Sequence, residues 1–80
     1  MSDAPVIVIG GGTMGAGIAQ SLVQIGCEVT VREATMDAAE AAHRRVAEGL
    51  ARAHRRADDP DAAVAADLAR LAVVHRLPDD

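Results

Sequence analysis

The feature that most constrains this chain is the stretch VIVIGGGTMGAGIAQ, residues 6–20. It opens with four consecutive β-branched residues and no polar alternation, which is typical of a parallel strand covered on both faces. Glycines follow at once, and apolar residues then recur at helical spacing at Met14, Ile18, Leu22 and Ile25. The stretch therefore predicts a strand, a tight glycine turn and a helix whose apolar stripe those four residues form.

The rest of the chain continues the alternation of strands and helices. Gly26 ends the first helix, and residues 27–32 predict a second strand. Residues 37–56 predict a long alanine-rich helix, Asp59 and Pro60 a cap and first turn, and residues 61–68 a shorter helix. Residues 71–74 predict a third strand. The pattern indicates an α/β chain of one domain, without internal repeat or linker.

Three of the glycines have separate tasks in the pattern G-x-G-x-x-G. Gly10 allows the tight turn out of the strand, Gly12 lets the backbone approach a pyrophosphate, and Gly15 lets the helix pack closely on the strand. The backbone N–H groups that open the helix have no partner within it and attract an anion. We therefore expect a Rossmann-type dinucleotide site, built on the first β-α-β half of a doubly wound parallel sheet.

An acidic residue at the end of the second strand selects the cofactor in such a site. Glu33 lies about 20 residues beyond the glycines, where its carboxylate can accept the ribose hydroxyls. It would also repel a 2′-phosphate, so we expect NAD rather than NADP. Arg32 leaves NADP open, because an arginine there can accommodate that phosphate, although strand alternation directs the two side chains to opposite faces.

Composition excludes several other classes of protein. The 80 residues include no aromatic side chain, and the net charge is −4, which gives no basic surplus for a nucleic-acid partner. The single cysteine, Cys27, excludes an internal disulfide, and we expect it to be a small core residue rather than a nucleophile. No signal peptide or stretch of about 20 apolar residues is visible. We expect a cytoplasmic protein without a membrane segment.

At IGGGTMGAGIAQ and GCEVTVRE the chain resembles the cofactor domain of the 3-hydroxyacyl-CoA dehydrogenases. The resemblance covers essentially the whole chain and weakens after Arg56. It implies oxidation of L-3-hydroxyacyl-CoA to 3-ketoacyl-CoA with NAD, in fatty acid metabolism. It also implies a pyrophosphate loop formed by Gly10, Gly12, Thr13, Met14 and Gly15, with Glu33 on the ribose, where family members usually carry aspartate.

The same resemblance suggests where an acyl-CoA substrate would touch the long helix and its turn. Family members approach the CoA phosphates there through a basic residue and a hydroxyl. Arg56 falls near the basic position, but Gly49 stands where the hydroxyl is expected. We weigh this against an ordinary solvated helix face for Arg52, Arg55 and Arg56, which we favour.

The catalytic part of the family's site is not recognisable in these residues. The family's histidine base and its glutamate belong to a later part of the sequence, and this chain ends before them. His43 and His54 lie on the predicted long helix, in no motif that pairs them with a catalytic carboxylate or a metal-ligand partner, and we expect His75 at the surface after the third strand. We therefore expect neither a catalytic residue nor a metal site, and no dehydrogenase activity from the isolated chain.

Strand order adds one more expectation. In the order 3-2-1-4-5-6 the first strand is central, so a chain with strands 1 to 3 leaves it as an apolar edge. We expect residues 1–80 to be the N-terminal part of one NAD-binding domain with the remaining strands missing, without a second domain. An acyl-CoA would bind only if that part is supplied. One alternative is a non-catalytic adenine-nucleotide or strand-pairing module, whose first strand would pair with another chain. Another is a fragment of a related 3-hydroxyacid dehydrogenase.

Overall fold

The computed structural model describes residues 5–10 and 12–75, which form three parallel strands and three helices. The strands are β1 (Val6–Ile9), β2 (Val29–Arg32) and β3 (Leu71–Val74). The helices are α1 (Thr13–Gln24), α2 (Met36–Ala53) and α3 (Pro60–Leu68). This arrangement confirms the α/β, partial Rossmann-type prediction.

The sheet order is β1-β2-β3, with both pairings parallel. Val6 lies opposite Val29, which in turn lies opposite Leu71, and the register continues without a bulge to Ile9, Arg32 and Val74. Within the described residues β1 is therefore one edge of the sheet, as predicted from the strand order.

One face of the sheet carries the core. Val6, Val8 and Val73 pack against a fully buried aliphatic cluster that α1 and α2 complete. The largest fully buried side chains are Leu50, Val23, Val29, Val31 and Val46. The residues between them on the strands, Ile7 and Ile9 among them, point to the other face. No described helix covers that face, where Ile7 is 54% and Ile9 69% exposed.

The predicted stripe of α1 is wrong. Met14, Ile18 and Ile25 are exposed and Leu22 is only partly buried, whereas the buried face is formed by Ala16, Ala19 and Val23. The reason is that α1 packs very close to the end of β1. Its first turn lies so near the strand end that only small residues fit below it, and hydrophobicity alone does not report this distance.

The caps were predicted more accurately than the helix ends. The Asp59 carboxylate accepts a hydrogen bond from the Ala62 N–H at 3.2 Å, and Pro60 begins α3, as predicted. Gly26 has the predicted positive φ of 96° after α1. In contrast, α2 ends at Ala53 rather than at residue 56, because the chain turns after His54 towards α3. Strand β2 is two residues shorter at its start than predicted.

Candidate functional site

The glycine turn ties the end of β1 to the end of β2. Gly10 has φ of 80°, a conformation that side chains rarely allow, and its N–H donates to the Arg32 carbonyl at 2.9 Å. The turn therefore leaves the strand sharply, while its backbone stays within the sheet's hydrogen-bond pattern. This is the task that the sequence assigned to Gly10.

Gly15 and Gly12 have different surroundings. A Cβ on Gly15 would collide with the Gly10 carbonyl oxygen and would lie 3.5 Å from a methyl carbon of Val8. Gly15 therefore sets how closely α1 approaches the strand, as predicted. A Cβ on Gly12 would meet no atom within 4 Å. The space above Gly12 is open to a ligand.

The start of α1 presents donors to that space. The first bond within the helix runs from the Ala16 N–H to the Gly12 carbonyl at 3.0 Å, so the N–H groups of Thr13, Met14 and Gly15 have no acceptor inside the helix. No acidic residue occupies this described first turn. Three aligned donors and the positive end of the helix dipole form a site for an anion such as a pyrophosphate.

An open groove of about 460 Å³ lies beside these donors. Its lining joins the end of β1 to the start of α1 and consists of Val8, Ile9, Gly10, Gly12, Met14, Gly15 and Ile18. The structure therefore brings four predicted site residues, Gly10, Gly12, Met14 and Gly15, together. The side chain of the fifth, Thr13, lies outside the described part.

Glu33 follows the last residue of β2 and is half-buried. Its N–H donates to the Val74 carbonyl at 2.8 Å, which holds it at the carboxyl edge of the sheet, one strand away from the glycine turn. Arg32 lies opposite Ile9 and Val74, on the face without helices. The acidic residue is therefore placed beside the groove, although it does not line it.

Arg56 does not belong to this groove. It is exposed in the turn after α2 rather than on the helix itself. Gly49 is buried on α2, and a Cβ there would collide with the side-chain carbonyl oxygen of Gln20 on α1. The Gln20 side chain therefore already occupies the space that a larger residue at position 49 would need.

A buried acid links the three helices, and the sequence did not reveal it. Asp67 is buried (8% exposed), and one of its carboxylate oxygens accepts a hydrogen bond from His54 Nε2 at 2.6 Å. The other oxygen accepts a hydrogen bond from Arg70 at 2.9 Å. Arg70 also donates to the Val23 carbonyl near the end of α1 at 3.3 Å. His54 thus has a carboxylate partner, although no sequence motif joins the two residues. The spacing of Asp67 and Arg70 indicates a pair, but nothing local points to His54, 13 residues earlier.

The remaining candidate side chains form no reactive group. His43 and His75 line an open groove of about 350 Å³ between α2 and β3. Nowhere in residues 5–10 and 12–75 do three metal-binding side chains meet. Cys27 is partly buried against the core as a free thiol.

Among the described helices, none has the length and apolar character needed to cross a membrane.

Comparison with known proteins agrees with this geometry. Residues 5–79 match the family model described as 3-hydroxyacyl-CoA dehydrogenase, NAD binding domain. No curated protein sequence matches the chain significantly.

Several solved structures superpose on the chain. The 3-hydroxybutyryl-CoA dehydrogenase of Escherichia coli is 28% identical over 96% of this chain and 16% of its own, with a TM-score of 0.80. FadB2 of M. tuberculosis is also 28% identical, over 96% of this chain and 27% of its own, with a TM-score of 0.82. The (S)-3-hydroxybutyryl-CoA dehydrogenase of Ralstonia eutropha is 32% identical over 90% of this chain and 25% of its own, with a TM-score of 0.78.

The chain thus spans roughly a sixth to a quarter of the length of these proteins. The match of the family model covers nearly all of its residues and includes the glycine turn, α1 and the acidic end of β2. The chain belongs to the NAD-binding domain family of the 3-hydroxyacyl-CoA dehydrogenases.

Proposed function

We propose that the groove at the start of α1 holds the pyrophosphate of NAD and that Glu33 holds the adenosine ribose. The observation that carries this proposal is the close packing of Gly15 on Gly10, which places the start of α1, with three N–H groups that have no acceptor within the helix, beside the open space at Gly12. Met14 lines the same groove, and Thr13 contributes its backbone N–H. When bound, NAD accepts a hydride; these residues only bind and orient it.

NAD is preferred to NADP in this proposal. The Glu33 carboxylate can accept both ribose hydroxyls and repels a 2′-phosphate. Arg32 is the residue that could reverse this preference, but its place in the register puts it on the face without helices. We expect NADP to bind at least about tenfold more weakly than NAD, which corresponds to one unfavourable charge contact of about 1.4 kcal/mol.

A titration of the 80-residue chain with NAD and with ADP-ribose, followed by amide NMR, tests the site. Similar affinities and shifts at residues 12–15 and 33 are expected, because the proposed contacts reach only the adenosine and pyrophosphate. Glu33→Gln should weaken both ligands by about tenfold. Glu28→Gln, at the exposed other end of β2, is the matched control. Shifts absent from the glycine turn at saturating NAD would refute the proposal.

The reaction and the substrate of the longer relatives come to this chain only as proposals. Arg56 is the position that the resemblance offers as a contact for the phosphates of an acyl-CoA; its exposure in the turn after α2 fits an ordinary solvated arginine equally well, which is the interpretation we favour. Oxidation of L-3-hydroxyacyl-CoA, and with it a role in fatty acid metabolism, requires a histidine base beside the cofactor. The described groove contains no histidine. We therefore expect no turnover when the 80-residue protein is assayed with 3-hydroxybutyryl-CoA and NAD. Measurable turnover would contradict the expectation that these residues lack the catalytic base.

A second candidate function is strand pairing with another polypeptide, and the exposure of β1 favours it. Ile7 and Ile9 are more than half exposed on an edge strand that no charged residue protects. We also propose that residues 1–80 are the first part of one NAD-binding domain, in which β1 lies in the interior of a wider sheet. A cytoplasmic location is the matching proposal for a chain whose single cysteine is a free thiol.

A further inference from the structure

Helix α1 lines the proposed pyrophosphate groove with its first turn and ends about 18 Å away, near the start of β2. Its buried face consists of small side chains, Ala16, Ala19 and Val23. Alanines present shallow ridges to a neighbouring element, so they interlock little and define the axial position of a helix weakly. The position of the N–H donors at the start of α1 therefore depends on what holds its two ends.

The first end of α1 is joined to β1 through glycine backbone. Gly15 packs on the Gly10 carbonyl and limits how closely the helix approaches the strand. A steric contact prevents approach only, and glycine is the most permissive connection that a chain offers. Neither feature holds the helix against a shift away from the turn.

The second end of α1 is held by a cation from a distant part of the chain. The carbonyl of Val23, in the last turn, accepts a hydrogen bond from the Arg70 guanidinium at 3.3 Å. Helix α1 has no basic residue of its own in that turn. Arg70, 47 positions further along the chain, supplies the positive charge that the negative end of a helix dipole favours. This contact is attractive, so it resists displacement of α1 in either direction.

Arg70 is itself fixed at its backbone and at its side chain. Its carbonyl accepts a hydrogen bond from the Val29 N–H at 2.9 Å, which ties it to the first residue of β2. Its guanidinium donates to Asp67 at 2.9 Å, and the other oxygen of that carboxylate is occupied by His54. The Arg70 side chain thus starts from the sheet, is oriented by a buried carboxylate and ends on α1.

Resting on the nucleotide site proposed above, we propose that Arg70 is a positioning residue of that site. It fixes α1 along its axis from the far end and keeps the N–H groups of the first turn in place for a pyrophosphate. A helix is stiff along its axis, because each turn is hydrogen-bonded to the next, so a displacement at Val23 reaches the first turn. Hydrogen bonds weaken steeply with distance and angle, so such a displacement lowers the affinity.

Amide NMR and titration with ADP-ribose, carried out on three variants without urea, test this role. Arg70→Gln should shift the resonances of residues 13–15 in the free protein. It should also raise the dissociation constant about fivefold, the lower end for coupling between distant sites. Arg70→Lys keeps a cation at the end of α1 and should recover most of the affinity. Val73→Ala, which trims a partly buried side chain on the strand farthest from β1, is the control for lost stability.

Three results with these variants would overturn the proposal. The first is a folded Arg70→Gln whose affinity and first-turn resonances are unchanged. The second is an equal loss of affinity in Val73→Ala, since the affinity would then follow stability rather than the position of α1. The third is a loss in Arg70→Lys as large as that in Arg70→Gln, because a cation at the end of the helix would then be irrelevant.

A measurement on the unmodified chain does not depend on any variant folding. Coupling between two sites is reciprocal, so ADP-ribose should shift the guanidinium Nε–H resonance of Arg70, although Arg70 lies outside the groove. Arg44, exposed on α2, should show no shift. Shifts at residues 12–15 without one at Arg70 overturn the positioning role and leave the nucleotide site standing. No shift at residues 12–15 refutes the nucleotide site itself, and the role of Arg70 with it.

Discussion

Replacing Gly15 by alanine separates the structural glycine of the turn from the ligand-facing one. In Gly15→Ala the new Cβ would collide with the Gly10 carbonyl oxygen, which is backbone held by its neighbour β2 and cannot swing aside. Overpacking of this kind costs about 1–3 kcal/mol, and a backbone collision belongs at the upper end. Loss of the glycine's unfolded-state entropy returns about 1 kcal/mol. A net loss of about 2 kcal/mol is expected.

That loss is large for a domain of this size. A chain of 80 residues with a small aliphatic core has about 3–5 kcal/mol of stability to lose. With a urea dependence of about 1 kcal/mol per molar, the unfolding midpoint of Gly15→Ala should fall by about 2 M. The assay is equilibrium urea unfolding followed by far-ultraviolet circular dichroism, without nucleotide.

Gly12→Ala is the matched control, because its Cβ would meet no atom within 4 Å. We expect its midpoint to stay within about 0.5 M of the parent, while its affinity for ADP-ribose falls, since the Cβ projects into the space for the pyrophosphate. An unchanged midpoint for Gly15→Ala, or an equal fall for Gly12→Ala, would refute the assignment of the two glycines.

Further substitutions test the contacts between the helices and the extent of the proposed nucleotide site. Asp67→Ala should lower the free energy of unfolding by about 2–3 kcal/mol in urea unfolding, because it leaves His54 without its acceptor, and Asp67→Asn should cost less because it keeps one. Gly49→Ala should change stability by less than about 1 kcal/mol, since helix propensity favours alanine and the clash falls on the mobile end of Gln20; a loss above about 2 kcal/mol would contradict this. Arg56→Glu should leave the NAD affinity unchanged in the NMR titration, because Arg56 lies outside the groove.

The tight turns and the cap of α3 were predictable because their sequence signals are local. Gly10 and Gly26 adopt positive φ where the sequence requires it, and Asp59 caps α3 through an atom three residues away. The order of strands also follows from the sequence, because right-handed crossovers usually place successive parallel strands side by side. The predicted β3 matches the observed bounds.

The buried face of α1 was not predictable in the same way. Helical spacing selects the large apolar residues Met14 and Ile18, yet Ala16 and Ala19 are buried instead. The choice depends on the distance between helix and strand, which the collision at Gly15 sets and which no spacing rule contains.

What the sequence by itself determined is the local geometry of the proposed nucleotide site, because the turn, the helix start and Glu33 are encoded by residues that belong to one β-α-β unit. What only the tertiary structure decided is the junction of Asp67 with His54 and Arg70, and which side chains of α1 reach the core. These depend on how three helices meet in space. Contacts between distant segments carry no local signal, since each partner alone looks like an ordinary polar residue on a helix surface.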